Sequence, residues 1–82
     1  MVGSLIRVKV TLHSYLKEFL PEELDGEKEF ELQDGETIAG LVQLMGLPES
    51  AAAAVNESIE RDRRKVLQDG DHVRFLRPGA GG

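Results

Sequence analysis

Ile6, Val8, Val10 and Leu12 alternate with Arg7, Lys9 and Thr11, and this pattern restricts the fold more than any other stretch of the chain. A period of two marks a strand with one buried face and one wet face. Such a strand needs a sheet beside it and a second layer over its apolar side. The other sustained alternation closes the chain, where Val73 and Phe75 point inward and Leu76 falls out of phase onto the solvent face. These first and last strands are expected side by side and parallel at the centre of the sheet, both buried against one helix.

The residues between them supply the remaining elements. Phe30 and Leu32 alternate with Glu29 and Glu31, which predicts a strand paired back on the first after a turn at Asp25-Gly26. Residues 13–27 have no clean period. There Tyr15, Leu16, Phe19, Leu20 and Leu24 suit either a short helical turn or an apolar lid, and Pro21 limits any helix. After a turn at Gln33-Asp34-Gly35, Thr37 is a good N-cap for a helix whose stripe is Ile38, Leu41, Val42 and Met45. Gly46 is placed for the left-handed residue that ends the helix, and Pro48 cannot continue it. Gly40 costs about 1 kcal/mol against alanine inside a helix, which points to close backbone packing.

Residues 49–55 stay open. Ala51 to Ala54 favour helix by propensity, whereas Ala51, Ala53 and Val55 suit a strand face built from small residues. Asn56-Glu57 reads as a turn and Ile59 as the centre of a short strand. Arg61 to Lys65 is a polar connection, Val66 and Leu67 return to the core, and Asp69-Gly70-Asp71 turns into the last strand. The order β-β-α-β-β-β is α+β: a mixed sheet of four to five strands with one main helix packed on one face, the arrangement of a β-grasp, or ubiquitin-like, fold. Residues 1–82 are expected to form one domain with a flexible tail at 77–82.

Composition removes several function classes. The absence of cysteine excludes disulfides, a thiolate nucleophile, a zinc-thiolate site and a persulfide carried on this chain. His13 and His72 lie far apart without a third ligand cluster, so no metal is expected. A net charge of -5 argues against a nucleic-acid partner. No apolar run approaches membrane-spanning length, so no membrane association is expected and the location expected is the cytoplasm.

The sequence closes on Arg77-Pro78-Gly79-Ala80-Gly81-Gly82. Glycine lacks a Cβ, so a diglycine end can enter a narrow slot backbone first. Pro78 to Gly82 reach about 17 Å at roughly 3.3–3.6 Å per residue. This suits a folded body that delivers its own terminal carboxylate to another protein's active site, with a frayed terminus as the plain alternative. Leu76 is read as a partner contact, together with Arg74, Arg77, Pro78, Gly79 and Ala80. A singly exposed leucine on a solvated edge is the competing reading. The 61–65 run is read as a solvated loop before a docking one, and neither histidine is given a role.

Asp34-Gly35-Glu36-Thr37-Ile38 with Leu41, the Gly46-Leu47-Pro48 stop, Val55-Asn56, Leu67-Gln68-Asp69-Gly70-Asp71-His72-Val73 and the final Gly81-Gly82 resemble the MoaD/ThiS family of ubiquitin-like sulfur carriers, which serve molybdopterin and thiamine biosynthesis. The resemblance covers the C-terminal part of the chain, and the Leu-x-Asp-Gly-Asp turn one strand before a diglycine is its specific element. The long 13–27 insert tilts it toward the MoaD-like, molybdopterin-synthase side. Departures are Glu57 where the family often has glycine, Ala51 to Ala54 where it has branched aliphatics, and Gly79-Ala80 where it has bulkier residues.

The resemblance implies a non-catalytic small subunit. An E1-like adenylating enzyme (MoeB/ThiF-like) would activate Gly82 with ATP, and sulfur would then replace AMP to give a thiocarboxylate that a synthase large subunit (MoaE-like) consumes. The chain has no phosphate-binding Gly-rich loop followed by Lys-Ser/Thr, so ATP would be bound by the partner and no cofactor by this chain. Gly82 would carry the sulfur and Gly81 the thin approach to it. A ubiquitin-like modifier, a carrier for thiamine or another sulfur pathway, and a non-activated β-grasp binding module remain the alternatives.

Overall fold

The computed structural model describes residues 4–77. Five strands, β1 (Leu5–Leu12), β2 (Glu27–Gln33), β3 (Ala52–Val55), β4 (Ser58–Glu60) and β5 (His72–Leu76), form one sheet in the order β2-β1-β5-β3-β4. The helix α1 (Ile38–Met45) lies between β2 and β3 in the chain. β1 and β5 run parallel at the centre, with Val10 beside Val73 and Leu12 beside Phe75. β2, β3 and β4 are antiparallel to their neighbours. The architecture is a β-grasp, as the two alternating strands predict.

Strand alternation sorts the sheet into two faces. Ile6, Val8, Val10, Leu12, Leu32, Ala53, Val55, Val73 and Phe75 are buried with Ile38, Leu41 and Val42 of α1 in one core. Thr37 caps the helix, its hydroxyl accepting from the Gly40 N–H at 3.1 Å, and Gly46 ends it at φ 73. Two more N–H groups of the first turn, those of Ile38 and Ala39, donate to the carbonyls of Lys65 and Arg63. The 61–65 connection is therefore part of the helix cap as well as a link.

Several expectations are settled or corrected. The open 49–55 segment is a strand from Ala52, because Ala53 and Val55 fit beside Phe75 and Val73 on the buried face. Residues 13–27 form two 3-10 turns, Ser14–Phe19 and Glu22–Leu24, in which Leu16 is fully buried while Tyr15 and Phe19 remain exposed. Val66 does not return to the core with Leu67. It is 42% exposed, and its backbone instead bridges Thr37. The polar run is not simply solvated either, since the Arg63 guanidinium donates to the carbonyls of Glu49 and Ala51. At Gly40 the nearest neighbour is a side chain rather than backbone of another element: a Cβ there would overlap the Glu36 carboxylate, which accepts from the Thr37 N–H. Among the described residues no helix is long and apolar enough to cross a membrane.

Candidate functional site

The candidate site is the face of the sheet turned away from α1, which β5 crosses from His72 to Leu76. Register fixes what shares this face. Arg7, Lys9 and Thr11 of β1 lie beside Glu31, Glu29 and Glu27 of β2. On the other side Lys9 and Thr11 lie beside His72 and Arg74 of β5, which in turn has Ala54 beside Arg74 and Ala52 beside Leu76. Ile59 of β4 lies beside Ala54 and is 54% exposed. The face therefore grades from an acidic strand, through a basic one, to an apolar margin of Ala52, Ile59 and Leu76 around the buried Ala54.

Of the predicted partner contacts, Arg74 and Leu76 fall on this face, while Arg77 follows the end of β5. Arg74 and Leu76 are half-buried and Arg77 is exposed. Leu76 lies on the solvent side, as its phase requires, though it is partly covered rather than fully open. Pro78, Gly79, Ala80, Gly81 and Gly82 lie outside the described residues.

Charge is unevenly compensated. Arg7 reaches Glu29 at 3.9 Å and Glu31 at 3.7 Å, and Lys9 reaches Glu27 at 3.5 Å. Arg74 forms no ion pair among the described residues, and its Nε is buried without a hydrogen-bond partner. Two residues given no role in the sequence prove to be built into the site. His72 is half-buried, with Nε2 2.7 Å from the Thr11 hydroxyl, which also donates to Glu27 at 3.2 Å. His13 continues the central ladder, its N–H donating to the Phe75 carbonyl at 3.1 Å. Parity was the available signal. His72 shares the phase of Arg74 and Leu76, and His13 that of Lys9 and Thr11.

Partial burial above all, then the charges of Arg74 and Lys9, hold the His72 imidazole below the usual histidine range, with Glu27 and Glu57 opposing. Among the described residues no three His, Asp or Glu side chains gather as a metal site would require.

The family model described as ThiS family matches residues 19–82. The chain belongs to the ThiS family. Its match runs through the helix, the Asp-Gly-Asp turn and the terminal diglycine, so it takes in β2 to β5 of the candidate site and leaves out the β1 residues Arg7, Lys9 and Thr11. No curated protein matches this ThiS-family chain. Solved structures share its fold at low identity. A putative molybdopterin converting factor subunit 1 from Pyrococcus furiosus superposes with a TM-score of 0.73 at 21% identity, covering 89% of this chain and 98% of that one. The small archaeal modifier protein 1 from Methanosarcina acetivorans gives 0.70 at 19%, covering 98% and 100%. A complex of subunits 1 and 2 of molybdopterin-converting factor from Helicobacter pylori contains a chain that gives 0.59 at 21%, covering 94% and 100%. ThiS-family membership and the β-grasp fold make this chain a ubiquitin-like protein of the sulfur-carrier type.

Proposed function

We propose that the chain is a sulfur carrier, the small non-catalytic subunit of a molybdopterin-synthase-like complex. The observation that carries this reading is the family match, which extends from residue 19 through Gly81 and Gly82. A terminal carboxylate has a pKa of about 3.3–3.7 and is a poor electrophile when ionised. An E1-like partner that binds ATP would let a Gly82 oxygen attack the α-phosphate, releasing pyrophosphate and leaving an acyl-adenylate. A sulfur nucleophile then displaces AMP, and the resulting thiocarboxylate donates its sulfur at the large subunit. The described residues contribute docking: Leu76, Arg74 and Arg77 lie where the central strand hands over to Pro78, Gly79 and Ala80.

Intact-mass analysis after incubation with the E1-like enzyme, ATP and a sulfur source tests the reading. The expected product is heavier by the replacement of one oxygen with one sulfur, and deletion of Gly82 abolishes it. An unchanged mass with an enzyme that loads other carriers would sink the proposal. Leu76→Asp should weaken docking on that enzyme at least tenfold while the chain stays folded, since Leu76 lies outside the core.

The fold shared with an archaeal modifier supports a second reading, in which the activated Gly82 forms isopeptide bonds to lysines. High-mass conjugates that vanish on deletion of Gly82 would favour it.

A further inference from the structure

Resting on the reading of the outer sheet face as a docking surface, we infer that His72 is a recognition residue of that face and takes up a proton when a carboxylate-bearing partner binds. The imidazole sits at the middle of the face, and each neighbouring element presents a group to it. Lys9 and Thr11 come from β1, Glu27 from β2, Arg74 from its own strand and Glu57 from the β3–β4 turn. Its backbone N–H donates to Asn56 Oδ1 at 2.9 Å, so the residue is held at both ends.

The Thr11 hydroxyl links proton state to geometry. It has one hydrogen to give and lies between His72 Nε2 and Glu27 Oε2. When Nε2 carries a proton, the hydroxyl accepts from it and still donates to Glu27. When Nε2 is bare, the same hydrogen turns to the ring and Glu27 loses its donor. A hydrogen on Nε2, carried by the imidazolium and by the neutral Nε2–H tautomer alike, thus completes the chain from β5 through β1 to β2, and only the bare-Nε2 tautomer breaks it. In the free protein partial burial above all, then the charges of Arg74, which forms no ion pair among the described residues, and of nearby Lys9, oppose the imidazolium.

A partner carboxylate seated over Arg74 cancels the main repulsive charge and attracts the imidazolium directly. The pKa of His72 is then higher in the complex than in the free chain. By linkage, the complex binds more protons than its parts, so affinity rises as pH falls through the interval between the two values. The Glu27, Glu29 and Glu31 column keeps an all-acidic partner surface off the β2 side and aligns it over β5.

The test uses the full chain and a hexa-aspartate peptide, whose carboxylates stay ionised above about pH 5. Imidazole resonances of His72, distinguished from His13 by a His13→Gln variant, are followed by NMR against pH at low salt. The free chain should titrate below the usual histidine value, and Arg74→Gln should raise the midpoint. Saturation with peptide should raise it by about half a unit, with binding about threefold tighter near pH 5.5 than near pH 7.5. His72→Gln should abolish that pH dependence. A midpoint that the peptide does not move, or a pH dependence that survives in His72→Gln, overturns the inference. Sulfur loading is read separately by mass. A chain that loads sulfur with an unmoved His72 refutes only the proton linkage, whereas linkage without loading refutes only the carrier reading.

Discussion

Asp71 is the one buried charged side chain of the described residues, 7% exposed and without an ion pair. Its carboxylate accepts from Asn56 Nδ2 and from the Gln68 N–H, both at 2.8 Å. Asn56 in turn accepts from the His72 N–H. One carboxylate thus ties the β3–β4 turn to the start of β5. Asp71→Ala strands an amide and a backbone N–H, and should lower unfolding free energy by about 3 kcal/mol in urea denaturation. Asp69→Ala, which loses one exposed bond to the Arg7 N–H, should cost about 1 kcal/mol or less. The sequence displays Asp69-Gly70-Asp71 as a turn but does not announce which aspartate is structural. Extending the inward phase of Phe75 and Val73 back by two residues does single out Asp71. That extension is invisible to any reading that treats the turn as polar throughout.

At the scale of elements, the helix was legible from both ends because its signals are local: Thr37 supplies the cap and Gly46 the left-handed exit. Thr37→Ala should cost about 1 kcal/mol by the same measurement. The 49–55 segment was not legible, because alanine is at home in a helix and only the register against β5 decides for strand. The role of Arg63 was hidden likewise, since its partners are carbonyls of another segment, a nonlocal pairing that charge pattern does not encode. The β3–β4 hairpin turns on Asn56 and Glu57 at φ 51 and 73, the left-handed pair that a two-residue hairpin requires. A side chain at φ 73 is strained where glycine is not. Glu57→Gly should therefore stabilise the protein by about 0.5–1 kcal/mol in thermal or urea unfolding, and a loss of stability would show that Glu57 makes compensating contacts.

Across the whole molecule, the two faces of the sheet divide the labour. One is sealed by α1 and carries the folding energy; the other carries the charges and the apolar margin that a partner would read. The ion pairs between β1 and β2 involve side chains that are 49–66% exposed, so they contribute little to stability. Raising salt to about 0.5 M should leave the melting temperature nearly unchanged while weakening acidic-peptide binding several-fold. The opposite result would place those pairs in the folding energy and leave Arg74 out of recognition. The central parallel pair and its buried face followed from two alternating strands, whereas the places of β3 and β4 and the uneven compensation of charge emerged only from register.

The parallel pairing of β1 with β5 also governs biogenesis. β5, the final strand of the described chain to leave the ribosome, sits between β1 and β3, so the nascent polypeptide holds those two ribbons without their common neighbour while synthesis proceeds. Such long-range closure is slow compared with helix formation. Fragments lacking β5 should stay unfolded and be cleared by proteases, so the cell would accumulate the docking surface only in molecules that already carry the strand leading to the tail.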